Sequence, residues 1–146
     1  RRPEISGAGQ NRMIPGNTIL PGRDFVVEKQ PTYTYEMSPD SGLIRGHVDG
    51  IEAMKQAVYK ILSTQRYRYL IYSWNYGIEL EDLFGEPVSF VCPELERRIR
   101  EALLWDDRIE EVGDFKFDTS KRGTVHAYFV VHTTVGDFEA DKEVKI

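Results

Sequence analysis

The chain has 146 residues, of which 40% are hydrophobic and 29% charged, and its formal net charge is −5. This length and composition are typical of one globular domain with a single core, and they disfavour a fully disordered chain. The acidic balance disfavours wholesale nucleic-acid binding, and no stretch of the sequence is long and apolar enough to cross a bilayer.

The first 31 residues hold four of the seven prolines and show little amphipathic periodicity. Such a composition is typical of an extended arm. We expect an arm over residues 1–31, which becomes ordered when it wraps a neighbouring protein, and then one domain over residues 32–146.

Two short strands and a helix are predicted to open the domain. Residues 32–37 alternate threonine and tyrosine, and residues 43–48 follow a cluster of turn-forming residues. Asp49 is a good N-cap, because its carboxylate accepts hydrogen bonds from the free amides of a first helical turn. Apolar residues then recur at helical spacing and form one stripe: Ile51, Met54, Ala57, Val58, Ile61 and Leu62.

The middle of the chain is rich in aromatic residues. Residues 67–74 predict a strand or a packed loop, and this interpretation competes with a surface that stacks sugars or bases. Residues 79–84 predict one or two helical turns closed by Gly85, and Pro87 predicts an extended segment after them. Pro93 suits the first turn of a second helix. The apolar face of that helix consists of Leu95, Ile99, Ala102 and Leu103.

The last third of the chain changes to the two-residue period of strands. Apolar side chains alternate with polar ones in three segments, which are separated by turns at residues 120–123 and 135–137. This pattern predicts an antiparallel meander whose apolar face the two helices cover. The predicted fold class is α+β, with a three- to four-stranded, mainly antiparallel sheet covered on one face by two amphipathic helices.

Residue types that carry catalysis or bind metals form no recognisable pattern. Cys92 is the only cysteine, so no internal disulfide is possible, and no histidine has the local signature of a base held beside that thiol. The three histidines lack the spacing of metal ligands. Paired carboxylates are expected by chance among 24 acidic residues. We therefore predict a protein without a catalytic, cofactor or metal site.

Two segments carry a resemblance to a known family. Residues 46–57 read Gly-His-Val-Asp-Gly-Ile-Glu-Ala-Met-Lys-Gln-Ala, and residues 72–80 read Tyr-Ser-Trp-Asn-Tyr-Gly-Ile-Glu-Leu. This pattern resembles the small baseplate wedge family of contractile injection systems, historically labelled lysozyme-like. Within that family it is similar to the baseplate proteins of PBSX-type prophages and of phage-tail-like bacteriocins. The resemblance covers residues 43–146.

Two motifs of that family occur in changed form. Residues 65–67, Gln-Arg-Tyr, stand where the family has a Gly-Glu-Arg-like segment. Residues 106–109, Asp-Asp-Arg-Ile, stand where the family has Glu-Pro-Arg followed by Ile or Leu. Arg108 matches this second motif, whereas Asp106 is a shorter acid and Asp107 replaces the proline. The change removes a rigid residue from the corner but keeps the pairing of acid and arginine.

The resemblance implies structural work without catalysis. It predicts a baseplate wedge protein of a phage tail or tailocin that links wedge proteins with tube or hub proteins and nucleates the sheath. The implied partners are those proteins and the sheath protein, with about six copies per particle and neither nucleic acid nor membrane. We expect synthesis in the bacterial cytoplasm and a final location in the virion or tail-like particle.

Candidate partner-binding residues follow from the residues and from the resemblance. The last strand of the meander has an exposed edge, which pairs readily with an incoming strand. Its candidates are Phe138, Glu139, Ala140, Asp141, Lys142, Glu143 and Val144. Lys142 falls in the inward phase of this strand, where it protects an edge or marks a bulge. Elsewhere the candidates are Asp106 with Arg108 as an interface or corner pair, and Arg66, Trp74, Tyr76 and Glu86.

Two alternative functions stay open. The family's old label suggests a cell-wall hydrolase, and the chain also suits a generic adaptor of another assembly. A glycoside hydrolase needs a buried carboxylic acid with a raised pKa in a cleft, and no residue of the sequence stands out as that acid.

Overall fold

The computed structural model describes residues 28–38 and 40–146. Its strands are β1 (Thr34–Met37), β2 (Ile44–Val48), β3 (Ile109–Asp118), β4 (Thr124–Thr133) and β5 (Gly136–Lys145). Its helices are α1 (Gly50–Ser63) and α2 (Val88–Leu104), with a short 3-10 helix at Glu81–Leu83 between them. Most of the predicted arm, residues 1–27, lies outside the described residues. No helix in the described part has both the length and the apolar character to cross a membrane.

The hairpin of β1 and β2 forms a sheet of its own and adds no strand to the main sheet. Gln56 of α1 holds this hairpin in place. Its side-chain amide accepts from the Met37 N–H at 2.8 Å and donates to the Tyr35 carbonyl at 2.7 Å. Of the predicted three or four strands, the main sheet therefore has three.

Helix α1 begins where the sequence predicts. Asp49 caps it by accepting from the Gly50 N–H at 2.7 Å, and the Thr32 hydroxyl also donates to the Asp49 carboxylate. These hydrogen bonds, with Thr32 first, lower the pKa of Asp49. Ile51 of the predicted stripe is exposed instead of buried. The residues of α1 that reach the core are Ala53, Met54, Val58, Ile61 and Leu62.

Helix α2 begins directly after Pro87, so the predicted extended segment does not continue beyond Pro87. Pro87 has extended dihedrals, with φ −68° and ψ 145°, and Pro93 lies inside the helix instead of in its first turn. A proline inside a helix removes one backbone hydrogen bond. The early start brings Val91 into the core on the same face as Leu95, and the burial of that side chain offsets the loss.

The main sheet is an antiparallel meander in which β4 lies between β3 and β5. Helix α1 packs against β5, and α2 packs against β3 and β4, so the helices cover one face of the sheet as predicted. The second turn is shorter than predicted, because β5 already begins at Gly136. The largest fully buried side chains lie between the two layers: Met54, Leu83, Val91, Leu95, Ile99, Leu103, Val112, Val125, Phe129 and Val131.

The aromatic residues 67–74 form turns and bends on the surface. Leu70, Ile71 and Trp74 are 103%, 85% and 80% exposed, so the interpretation of this segment as a core strand or packed loop is wrong. An apolar run has the same composition whether the chain buries it or presents it to a partner, which is why the sequence misleads here.

Candidate functional site

In the part of the chain that the structure describes, no strand pairs with the outer side of β5, which forms one edge of the main sheet. Hydrogen-bonded and non-bonded residue pairs alternate along an antiparallel ladder, so one bonded pair fixes the direction of every amide. The Ile146 N–H donates to the Gly123 carbonyl at 2.9 Å, in register with the pairing of β4 and β5. Even-numbered residues of β5 therefore bond to β4. The N–H and C=O groups of odd-numbered residues, such as Glu139 and Asp141, point away from the sheet.

The seven candidate residues of β5 divide between the two faces of the sheet. The row that faces the helices contains Phe138, Ala140, Lys142 and Val144. The exposed row on the opposite face contains Glu139, Asp141 and Glu143. Lys142 thus has the inward phase that the alternation predicts. Because the β4–β5 register runs without a shift, Lys142 does not mark a bulge.

The opposite edge of the sheet, on β3, is poorly suited to receive a strand. The β3–β4 register shifts within residues 109–111 and again within residues 113–116. Asp114 in the second shift has a left-handed backbone with φ 54°. Arg100 of α2 also donates from Nε to the Val112 carbonyl at 3.2 Å. Bulges and side-chain contacts of this kind protect sheet edges from pairing, so β5 is the more accessible edge.

Asp106 and Arg108 form a paired corner between α2 and β3. Arg108 Nη2 lies 2.6 Å from Asp106 Oδ2, and Arg108 Nε lies 2.8 Å from Asp106 Oδ1. Arg108 Nη1 also donates to the Pro31 carbonyl at 3.2 Å, and the Gln30 N–H donates to Asp107 at 3.3 Å. The predicted acid–arginine pairing is therefore present, and the same corner binds the backbone of residues 30–31.

The electrostatics of this corner keep both partners charged. Burial by itself raises the pKa of Asp106, but hydrogen bonds from the Arg108 side chain and backbone outweigh burial and leave that pKa lowered. The hydrogen bond to Asp106 in turn raises the pKa of Arg108. The two side chains are only 11% and 14% exposed, so the pair is a fixed part of the fold.

A cavity of about 490 Å³ lies beside the corner and brings predicted residues together. Tyr76, Asp106 and Arg108 line it, and so does Trp105. Tyr76 is half-buried and stacks on Tyr72 with ring centroids 4.5 Å apart, and burial is the main cause of its raised pKa. Sequence reasoning does not find Trp105, which is 61% exposed. Trp105 directly follows the apolar stripe of α2, and an apolar residue at that position is predicted to pack in the core.

Arg66 is engaged within the chain at the base of the aromatic loop, which we define as residues 67–76. Arg66 Nη1 lies 2.9 Å from Glu101 Oε1, and Arg66 Nε donates to the Gly77 carbonyl at 3.2 Å. The Arg66 side chain is 11% exposed. These bonds fix the loop to α2, so Arg66 presents little surface of its own to a partner.

The aromatic loop presents an apolar tip at Leu70, Ile71 and Trp74. Aromatic pairs stiffen it, since the rings of Tyr67 and Trp74 lie 6.1 Å apart in an edge-on arrangement. Exposed apolar side chains on such a loop are typical of a protein–protein contact. Glu86 is exposed two residues before α2 and does not line the cavity beside the corner.

Comparisons with known proteins agree on one family. A family model described as contractile injection system sheath initiator matches residues 32–136. The chain is 38% identical over 129 residues to the phage-like element PBSX protein XkdS of Bacillus subtilis (strain 168), a match that covers 83% of this chain and 90% of that protein.

A solved structure shares the fold. The crystal structure of a putative tail lysozyme from Geobacter sulfurreducens matches with a TM-score of 0.54 and 20% sequence identity. The match covers 65% of this chain and 89% of that one. At this identity the likeness concerns the fold alone, and it confirms the predicted α+β class.

Proposed function

The chain belongs to the contractile injection system sheath initiator family, and we propose that it is the baseplate protein on which a contractile sheath begins to assemble. In this proposal the free edge of β5 receives a strand from the first sheath subunits. A second surface holds the chain among the other wedge proteins and the tube or hub proteins. The site of action is the tail baseplate of a virion or tail-like particle.

The observation that carries the proposal is the difference between the two edges of the main sheet. The β5 edge is regular over its whole pairing with β4, whereas the β3 edge is interrupted twice and contacted by Arg100. A regular open edge offers unpaired N–H and C=O groups at every second residue, which an extended segment can bond. The exposed row of Glu139, Asp141 and Glu143 opposes random pairing between copies of the chain, because like charges on adjacent strands repel.

The second surface consists of the cavity beside the Asp106–Arg108 corner together with the apolar tip of the aromatic loop. Trp74 and Trp105 are 80% and 61% exposed, and tryptophan and arginine are enriched among the residues that dominate binding energy at interfaces. The tip supplies apolar area, while the corner supplies a fixed charge pair. This combination suits a lasting contact with a wedge or hub protein.

A cell-wall hydrolase is the main alternative, since the structural relative is described as a putative tail lysozyme. Glycoside hydrolysis needs a carboxylic acid whose pKa is raised. In the described part of the chain, each carboxyl group with a shifted pKa has it lowered: Asp49, Asp82, Glu94, Glu101, Asp106 and Asp118. This pattern supports a structural role. A muramidase assay on the purified chain separates the alternatives, because turnover is expected only of a hydrolase.

The proposal can be tested with a proline at a residue of β5 whose N–H points away from the sheet. Glu139→Pro removes an N–H that points away from the sheet and costs no bond to β4, so the chain should still fold. Glu139→Ala is the matched control, because it removes the same charge but keeps the N–H. Each variant replaces the natural copy in the producing strain, and the particles are viewed by negative-stain microscopy.

We expect tubes and baseplates without assembled sheath for Glu139→Pro and normal sheathed tails for Glu139→Ala. Normal sheaths with Glu139→Pro would show that the β5 edge is not used. Deleting the gene tests the generic adaptor, because loss of a sheath initiator leaves tails without sheath, whereas an adaptor of another assembly leaves the tails intact.

A further inference from the structure

Lys142 is the residue of the inward row of β5 that carries a charge. Its side chain is half-buried on the helix side of the sheet. Burial lowers the pKa of Lys142, and no charged neighbour contributes to that shift. Among residues 28–38 and 40–146, Lys142 forms neither an ion pair nor a side-chain hydrogen bond. A partly desolvated cation that none of these residues pairs costs free energy.

Two cavities extend along the inward side of β5, and Lys142 lines both of them. The first, about 450 Å³, lies between β5 and α1 and includes Tyr59 and Leu62. The second, about 360 Å³, lies toward the end of β5 and includes Leu62, Phe84 and Val144. Tyr59 and Phe84 are 49% and 61% exposed, so these walls are open to an incoming segment.

The register of β5 fixes how an added strand meets Lys142. Lys142 is even-numbered, so its own N–H and C=O bond to β4. In an antiparallel pairing on the outer side, Lys142 therefore occupies a non-bonded pair, where side chains approach each other more closely. The side chain of the residue directly opposite Lys142 then points to the same face of the sheet as Lys142, between the two cavities.

We infer that the strand which joins β5 carries an aspartate or glutamate directly opposite Lys142, with apolar residues two positions before and after it. The acid supplies a partner that Lys142 does not have among the described residues, and the apolar residues cover Tyr59 on one side and Phe84 on the other. The inference rests on the proposed function, because it requires a strand at this edge.

The test uses overlapping peptides that cover the sheath protein of the same particle, probed with the full chain. Wild type is compared with Lys142→Glu, Lys142→Met and Glu139→Pro, and the fold of each variant is checked by circular dichroism. We expect wild type to retain a peptide that has the pattern apolar, any residue, acid, any residue, apolar. Replacing that acid by lysine should weaken binding to wild type about tenfold and restore binding to Lys142→Glu.

The outcomes separate the two claims. If a peptide binds wild type but not Glu139→Pro, and Lys142→Glu prefers the acidic form as strongly as wild type does, the charge selection is wrong while strand addition stands. If Glu139→Pro binds as well as wild type does, or no sheath peptide binds any variant, strand addition at β5 is wrong and the inference is wrong with it.

Discussion

Arg108 binds the two carboxylate oxygens of Asp106 through Nη2 and Nε, at 2.6 and 2.8 Å, and uses Nη1 to hold the carbonyl of Pro31. One guanidinium thus joins the end of α2, the start of β3 and the segment that precedes β1. The pair is a candidate interface group in the sequence, and in the structure it also has an internal role. Its replacement should therefore change stability as well as assembly.

Asp106→Asn should destabilise the chain by about 2 kcal/mol at pH 7, because it leaves a largely buried guanidinium without its counter-charge. The folded-state pKa of Asp106 is lowered, so its contribution is present above the ordinary value of 3.8 and is lost as pH falls through the folded-state pKa. The difference between wild type and variant in urea unfolding should shrink below pH 3.8. Asp107→Asn, which removes an exposed charge, is the control. A difference that is constant down to pH 2 contradicts the assignment.

Gly77→Ala should destabilise the chain by about 3 kcal/mol. Gly77 lies at the base of the aromatic loop, where its carbonyl accepts a hydrogen bond from Arg66. Its φ is +95°, and a Cβ there would lie 2.5 Å from the Thr64 carbonyl oxygen. Gly85→Ala isolates the effect of the positive φ, since Gly85 has φ +82° and no atom lies within 4 Å of an added Cβ. This variant should lower the free energy of unfolding by about 1 kcal/mol. Equal losses of thermal stability in the two variants would remove the close contact as the cause.

The aromatic tip offers a test that leaves stability unchanged. Leu70→Ser with Ile71→Ser alters side chains that are 103% and 85% exposed, so the unfolding free energy should change by less than about 0.5 kcal/mol. Incorporation into purified baseplates, measured by immunoblot, should fall about tenfold if the tip binds a wedge or hub protein. Ile44→Ser, at a 68% exposed position of the hairpin, is the matched control. Full incorporation of the double variant would exclude the tip from the interface.

Lys142→Met should stabilise the isolated chain by about 0.5–1 kcal/mol, since it removes a desolvated cation but keeps the apolar stem. The folded-state pKa of Lys142 is lowered, so wild type gains stability as pH rises toward 10.5, and the advantage of the variant shrinks over that window. Titratable groups that line the same cavities are Lys55, Tyr59, Glu81, Glu139, Asp141, Glu143 and Lys145. Lys145→Met on the same strand is the control. A loss of stability in Lys142→Met would show that Lys142 has an internal partner.

The parts of the fold that could be predicted are those in which local chemistry and tertiary packing agree. Asp49 predicts a cap from its own carboxylate, and the two-residue period of the last third predicts both the meander and the inward phase of Lys142. The Asp106–Arg108 pair is also local, because the two residues are separated by one position and share a corner.

The remaining features depend on contacts between distant parts of the chain. The link from Arg66 to Glu101 spans 35 residues and leaves no periodic signal in the sequence. The start of α2 follows from the burial of Val91, which overrides the local preference set by Pro93. The bulges in β3, which distinguish the two sheet edges, arise from register and not from composition. Side-chain type likewise does not reveal that the aromatic loop is exposed.

In the proposed function, a segment of another protein completes the sheet along β5. A cryo-electron microscopy map of the intact baseplate would show this junction. We expect a sheath strand hydrogen-bonded to the outward amides of Glu139 and Asp141, with an acidic side chain beside Lys142. A map in which β5 borders only solvent or other segments of this same chain would rule out strand addition at this edge.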